Sequence, residues 1–229
     1  MPTEVKQKIK KLRFVINVRN YIRTKKILSG RTGQIKLQSP RGSLIYDFII
    51  KNDIENVLDI GTWNGLGSTT ILYNALKVKK KPFRLLSIET DKIAYKNAKK
   101  NLKDKSEIDL LLGRIIEIDE LPSPKSIDFK KHNLDPKNVE WLHQDVRRYK
   151  KTKNIFPALD SEYDFILFDG GEFSTFAEFK KLYKRTKYFG LDDVETYKQY
   201  EVLKFINTHV EKFELINSVK GLSIYKTNN

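Results

Sequence analysis

The 229 residues carry 44 Lys+Arg against 29 Asp+Glu, a net charge of +15, and 39% of them are hydrophobic. That apolar share supports a core in one large domain or two small ones and excludes disorder over most of the chain. A mean hydropathy of −0.53, with no apolar run approaching the length of a bilayer span, excludes a membrane-spanning protein. There is no cysteine, which excludes disulfides, thiolate zinc sites and cysteine nucleophiles and fits a reducing compartment. Residues 1–13 are charged where a secretory signal needs an apolar stretch, so a cytoplasmic location is expected.

The positive charge is concentrated at the start. Residues 1–31 hold ten basic side chains and one acid, Glu4, a net +9. Ile9, Leu12, Phe14, Val15 and Ile22 recur at loosely helical spacing, so residues 1–42 read as a basic helical segment with one docking face. Such charge can attract nucleic acid or an anionic surface, but no nucleic-acid motif accompanies it and a solvated helix is favoured. A homo-oligomer built through this segment stays open.

From residue 43 the pattern alternates between strand and helix. Residues 44–50 predict a helix, 57–60 a short buried strand ending at Gly61, and a helix opens near Gly67 and Ser68. A second strand spans 84–89, a helix 91–103, and a third strand 108–112 ending at Gly113. Residues 118–160 break the rhythm with Pro122, Pro124 and Pro136 around a helix at 139–150, which predicts a lid-like insertion. A fourth strand follows at 163–169, then a helix for which Thr175 and Glu178 form a capping-box signal. A fifth strand at 188–192, a helix at 195–211, and strands at 213–219 and 222–227 joined by a Lys220-Gly221 turn complete the chain. The sum is an α/β, Rossmann-like, doubly wound and mostly parallel seven-stranded sheet with a C-terminal antiparallel hairpin.

The most specific local motif is the string VLDIGTWNGLGS at 57–68. An apolar strand delivers Asp59, and the glycines then let the backbone turn tightly and approach a ligand at a helix N-terminus. Glu89 ends the neighbouring strand, where a carboxylate can accept both hydroxyl hydrogens of a ribose. The spacing Gly61-x-x-x-Gly65-x-Gly67 is neither the nicotinamide fingerprint nor a phosphate loop. It resembles motif I of class I S-adenosylmethionine-dependent methyltransferases, over roughly residues 43–227. The resemblance implies S-adenosyl-L-methionine as cofactor, with Asp59 supporting the turn and Gly61, Thr62, Trp63, Asn64, Gly65 and Ser68 around the methionine moiety. It further implies Glu89 on the ribose, and Gly113 and Arg114 beside the adenine.

The fourth strand ends in Asp169-Gly170-Gly171-Glu172 and the fifth in Asp192-Asp193. Neighbouring parallel strands bring these carboxylates to one edge, and converging carboxylates call for a cation such as Mg²⁺ or Mn²⁺. The alternative is that Asp192 or Asp193 only caps the next helix. The set resembles the metal-dependent O-methyltransferases of catechol and sugar type, with Asp169, Asp192 and Asp193 at the metal positions. The stretch DGGEFST is similar to the sugar enzymes' DGD-x-Y-x-S-T, although Gly171 stands where that pattern has a second Asp, the general base. Glu172 is the first replacement for that base and His143, from the insertion, the second. His132 and His209 read as surface or packing residues.

The expected function is therefore methyl transfer from a sulfonium to a hydroxyl of a sugar or glycan diol. A catechol-like small-molecule O-methyltransferase and an RNA-binding methyltransferase are the alternatives, and a non-catalytic binding module is a third class. The carboxylates crowding the mouth disfavour a phosphate backbone there. Trp141 with Tyr149 is a possible stacking platform for a sugar ring.

Overall fold

The structure is a computed structural model that describes residues 35–228, apart from 129–131, 133 and 135. The described residues all belong to one compact unit, Thr32–Asn229. Residues 1–34 of the expected basic helical segment fall outside the described residues. Its last stretch does not: Pro40 opens a helix of the body, so the fold begins earlier than the expected boundary at 43.

In chain order the body runs α1 (Pro40–Lys51), β1 (Asn56–Ile60), α2 (Ser68–Val78), β2 (Arg84–Glu89), α3 (Lys92–Asn101) and β3 (Ile108–Leu112). There follow α4 (Pro136–Tyr149), β4 (Tyr163–Phe168), α5 (Thr175–Leu182), β5 (Thr186–Asp192), α6 (Tyr197–Thr208), β6 (Phe213–Val219) and β7 (Leu222–Thr227). The strands form one sheet in the order β3-β2-β1-β4-β5-β7-β6. Strands β1 to β5 are parallel, and β7 runs antiparallel to both β5 and β6.

Strand residues alternate between two cores because successive side chains leave opposite faces of a sheet. Val57, Leu85, Phe165 and Leu167 pack with Ile45, Ile49, Ile71, Leu72 and Leu76 on one face. Leu58, Ile166, Phe168 and Phe189 pack with Phe179, Leu182, Val202 and Ile206 on the other. Helices α1, α2 and α3 thus cover one face, while α5 and α6 cover the opposite one. Both faces are apolar, which explains why β1 and β4 read as continuous apolar runs.

The order β2-β1-β4 reverses the direction of winding between β1 and β4, so a crevice opens at their carboxyl ends. Helix α4 from the insertion lies beside that crevice. Tyr149 packs with Ile116, Leu121 and Ala177, and Leu142 with Ile127 and Phe173. The insertion therefore has apolar anchors of its own. At the start of α5 the capping box is not formed: the N-cap is Ser174, with no side-chain cap bond. Glu178 is buried instead, accepting from the Tyr149 hydroxyl at 2.9 Å. A tertiary partner has taken the carboxylate that a capping box would use.

Candidate active site

The turn after β1 sets one end of the crevice. Gly61 has φ +100 and Gly65 φ +78, and Trp63 adopts the left-handed region at φ 54. The Gly61 and Thr62 amides both donate to the Ile88 carbonyl, at 3.0 and 3.1 Å, which binds the turn to β2. Asp59 lies behind it, fully buried, accepting from Ser68 at 3.2 Å, Thr69 at 2.5 Å and Ser87 at 2.9 Å. Burial pushes the Asp59 carboxyl up, and the three hydroxyls pull the other way. Asp59 thus ties α2 to β1 and β2.

Glu89 is the carboxylate at the end of β2. Its Oε2 accepts from the Trp63 amide and its Oε1 from the Asp91 amide, both at 2.7 Å. The side chain is oriented by backbone from two loops. Burial pushes the Glu89 carboxyl up to about 7, opposed by these two amides.

A cavity of about 350 Å³ joins this end to the ends of β4 and β5. Its walls include Gly61, Thr62, Trp63, Ser68, Glu89 and Gly113 on one side and Asp169, Glu172, Asp193 and Lys198 on the other. Asn64, Gly65, Arg114 and Asp59 do not line it. Asn64 is buried and holds the turn, accepting from the Leu66 amide at 3.0 Å, while the Asn101 amide donates to its carbonyl at 2.9 Å. Gly65 backs onto Leu102. Arg114, its side chain largely buried, pairs with Glu117 at 2.7 Å.

At the second end, ligand oxygens of Asp169, Asp192 and Asp193 lie within 4.8 Å of one another. Asp193 sits at φ 59, an uncommon conformation that Asp tolerates better than most residues and that tends to mark functional sites. Gln199 donates to the carbonyls of Phe168 at 3.1 Å and Asp192 at 2.9 Å, which ties together the ends of β4 and β5. Two cations absent from the sequence reading are already in place. The ammonium of Lys198, a side chain only 5% exposed, donates to Asp169 at 2.6 Å and Asp193 at 3.2 Å. Arg41, from the first turn of α1, donates to Asp192 at 2.9 Å and Asp193 at 3.0 Å.

Burial and the neighbouring Asp169 push the Asp192 carboxyl up, opposed by Lys198 and Arg41. Burial opposes the ammonium charge of Lys198, but Asp169, Asp193 and Asp192 outweigh it and raise that group. A divalent ion prefers six or more oxygens with few competing cations. With an ammonium and a guanidinium on these carboxylates, the arrangement does not fit Mg²⁺ or Mn²⁺ unless Lys198 leaves.

Helix α4 supplies what the sequence placed elsewhere. Trp141, Asp145, Arg148 and Tyr149 line the cavity, while His143 is exposed on another face of the helix. The i, i+4, i+7 and i+8 spacing puts the first set on one side, and position 143 falls outside it. His143 is therefore not brought to the site. Arg148 bridges Asp91 at 3.0 Å and Asp145 at 3.1 Å, joining α4 to the loop beyond Glu89. Burial pushes the Asp145 carboxyl up to about 6, against the pull of Arg148. A Cβ placed on Gly171 would lie 3.3 Å from Asp145 Oδ2. A carboxylate from the lid thus reaches the space that a side chain at 171 would fill. Tyr149 is buried beneath the cavity and bonded to Glu178, so it is not a face for stacking; Trp141 is 48% exposed.

The other histidines stay outside. His132 stacks edge-on against Tyr200, ring centroids 4.4 Å apart, and His209 lies over Phe205 at 4.2 Å.

No protein-family model matches the chain, and no curated protein matches it in sequence. Solved structures do match. An O-methyltransferase from Bacillus cereus in complex with SAH superposes with a TM-score of 0.57 at 14% identity, covering 90% of each chain. The O-methyltransferase TomG from Streptomyces achromogenes, in complex with SAM, gives 0.55 at 16% identity over 85% of this chain and 82% of its own. A methyltransferase from Geobacter sulfurreducens gives 0.54 at 12% identity over 100% and 98%. The chain has the class I methyltransferase fold. No helix among the described residues is long and apolar enough to cross a membrane.

Proposed function

We propose that the protein is an S-adenosylmethionine-dependent O-methyltransferase whose acceptor is a hydroxyl of a sugar or glycan diol. The observation that carries this reading is one continuous cavity, which has the glycine turn and Glu89 at one end and the Asp169, Glu172, Asp193 and Lys198 group at the other. The first end suits a nucleoside with a vicinal diol, and Glu89 holds acceptor oxygens where ribose hydroxyls would donate. The second suits a polyhydroxylated acceptor, with carboxylates as hydrogen-bond acceptors and the exposed Trp141 face as a stacking surface. The fold shared with SAM- and SAH-bound methyltransferases agrees with the first assignment. The carboxylate-rich second end disfavours a phosphate backbone as acceptor.

The reaction is an in-line displacement. The acceptor oxygen forms a bond to the methyl carbon as the carbon–sulfur bond breaks, the sulfonium becomes a neutral thioether, and the acceptor proton passes to a carboxylate. Holding both partners in one cavity converts the encounter into a positioned, effectively unimolecular step. Glu172 and Asp145 are the two carboxylates placed to take the proton. Burial raises both, which brings their basicity closer to what a proton acceptor near neutrality needs.

Calorimetric titration with S-adenosylhomocysteine tests the cofactor assignment, repeated on Glu89→Ala. One-site micromolar binding weakened by the substitution supports it, and no binding by the wild-type chain overturns it. Transfer of labelled methyl from S-adenosylmethionine to a panel of deoxysugars and glycans then tests the acceptor. Activity on catechols alone would reassign the second end to a small phenol. Asp145→Asn and Glu172→Gln separate the two bases, since only the true base loses the acid limb of the pH–rate profile.

A further inference from the structure

We propose that Lys198 is the resident cation of the acceptor end. Its ammonium takes the place a divalent ion would take among Asp169, Asp192 and Asp193, and it meets the acceptor oxygen directly. The inference rests on the methyl-transfer reading and deepens it.

Three observations carry it. First, Lys198 Nζ is 2.6 Å from Asp169 Oδ1 and 3.2 Å from Asp193 Oδ2, so it bridges carboxylates from the ends of two different strands. Second, the placement is built in. The side chain is 5% exposed, and the next residue, Gln199, ties the start of α6 to the carbonyls of Phe168 and Asp192. A long lysine stem on an anchored helix turn has little freedom to withdraw. Third, the charge is nearly balanced: three carboxylates meet the Lys198 ammonium and the Arg41 guanidinium, leaving a formal charge of −1. A divalent ion added to that group would face two cations at contact distance.

Lys198 also lines the cavity, so the same ammonium faces the bound acceptor. An ammonium has three protons. Among the described residues two are directed at carboxylates, which leaves one for an oxygen of the acceptor. A cation hydrogen-bonded to the attacking oxygen favours its deprotonated form and stabilises negative charge as the O–C bond develops. The acceptor proton goes to Glu172 or Asp145, and the electron pair of the breaking C–S bond goes to sulfur. No metal enters the balance.

The test is Mn²⁺ binding to the full chain after EDTA treatment, followed by electron paramagnetic resonance and calorimetry, with S-adenosylhomocysteine titrated in parallel. The wild-type protein is expected to show no one-to-one Mn²⁺ site up to about 1 mM, the weak end of the range for oxygen-ligand divalent sites. Lys198→Met removes the ammonium and should tighten Mn²⁺ binding at least tenfold, while Lys198→Arg should continue to exclude the ion. One equivalent of Mn²⁺ bound tightly by the wild type and lost in Asp169→Asn overturns the proposal. Should Lys198→Met fail to fold by circular dichroism, the wild-type and Asp169→Asn titrations decide it alone. Absence of S-adenosylhomocysteine binding would instead sink the methyltransferase reading and leave the metal result standing.

Discussion

Gly61 lies directly against Asp169: a Cβ on the glycine would fall 2.1 Å from the Asp169 carbonyl oxygen. The Asp169 amide in turn donates to the Ile60 carbonyl at 3.0 Å. The turn that would face the cofactor and the strand end that would face the acceptor are therefore in backbone contact, with no side chain between them. Gly61→Ala should consequently lose on the order of 3 kcal/mol of stability or more, because neither backbone can yield and φ +100 disfavours any Cβ. Gly113→Ala meets the Ile155 side chain rather than backbone, and its φ is not in the left-handed region, so it should lose less. Urea unfolding of both variants checks the contrast.

Cofactor affinity should depend on pH through Glu89. Burial pushes this carboxyl up to about 7 in the free protein, and ribose hydroxyls bind the ionised form better. Binding of S-adenosylhomocysteine should therefore weaken as pH falls below about 7, approaching tenfold per unit. At pH 7 binding should release a fraction of a proton, seen as a binding heat that varies with buffer ionisation enthalpy. Glu89→Gln should remove both effects and weaken binding roughly tenfold to a hundredfold, the value of a charged hydrogen-bond pair.

Stability should depend on pH through Glu178. Its carboxyl is buried and pushed up to about 7, so the folded state binds its proton more tightly than the unfolded chain. The contribution is fully present below the ordinary carboxyl range near 4.5 and is lost as pH rises through about 7. Glu178→Gln should flatten the fall in stability between pH 5 and 8, with a gain of about 1–3 kcal/mol at pH 8. Tyr149→Phe removes the donor to Glu178 and should cost about 1–3 kcal/mol. Melting curves across that pH range read out both.

Arg41 holds two of the three aspartates although it belongs to the first helix of the body. Arg41→Ala leaves Asp192, 2% exposed, without its guanidinium. The expected loss is about 1–3 kcal/mol, less than for a fully buried pair because the arginine itself is partly solvated. The loss should be larger at pH 8 than at pH 5.5, since the carboxylates need the cation only when charged. Chemical unfolding at the two pH values checks it.

The strands and the glycine turn could be read from the chain because each is a local signal. Buried parallel strands are short apolar runs, and a strand-to-helix turn needs glycine at particular positions. The strand-end acids were equally visible, since the register of a parallel sheet places the ends of β4 and β5 together. Their partners were not. Arg41 and Asp192 are separated by 151 positions, and a lone arginine in a lysine-rich chain carries no mark. Lys198 could have been suspected from its spacing on the helix after Asp193, but it reads there as one more surface lysine. Asp145 and His143 lie two positions apart on α4, and only the phase of a helix inside an insertion decides which of them faces the cavity. Glu178 was misassigned to a local cap because Tyr149, its true partner, comes from that same insertion.

Gly221, in the last hairpin, accepts the Asp193 amide at 2.7 Å and the Val194 amide at 3.4 Å, and its backbone packs beside Arg41. During synthesis the residues of the nucleoside turn emerge early, whereas the acceptor half also has to wait for the hairpin that carries Gly221. Contacts of such sequence separation form late and set the slow step of folding. A chain truncated before the hairpin should therefore retain an intact nucleoside turn next to an unfinished acidic edge. Catalytic competence would then require the β6–β7 hairpin to be in place.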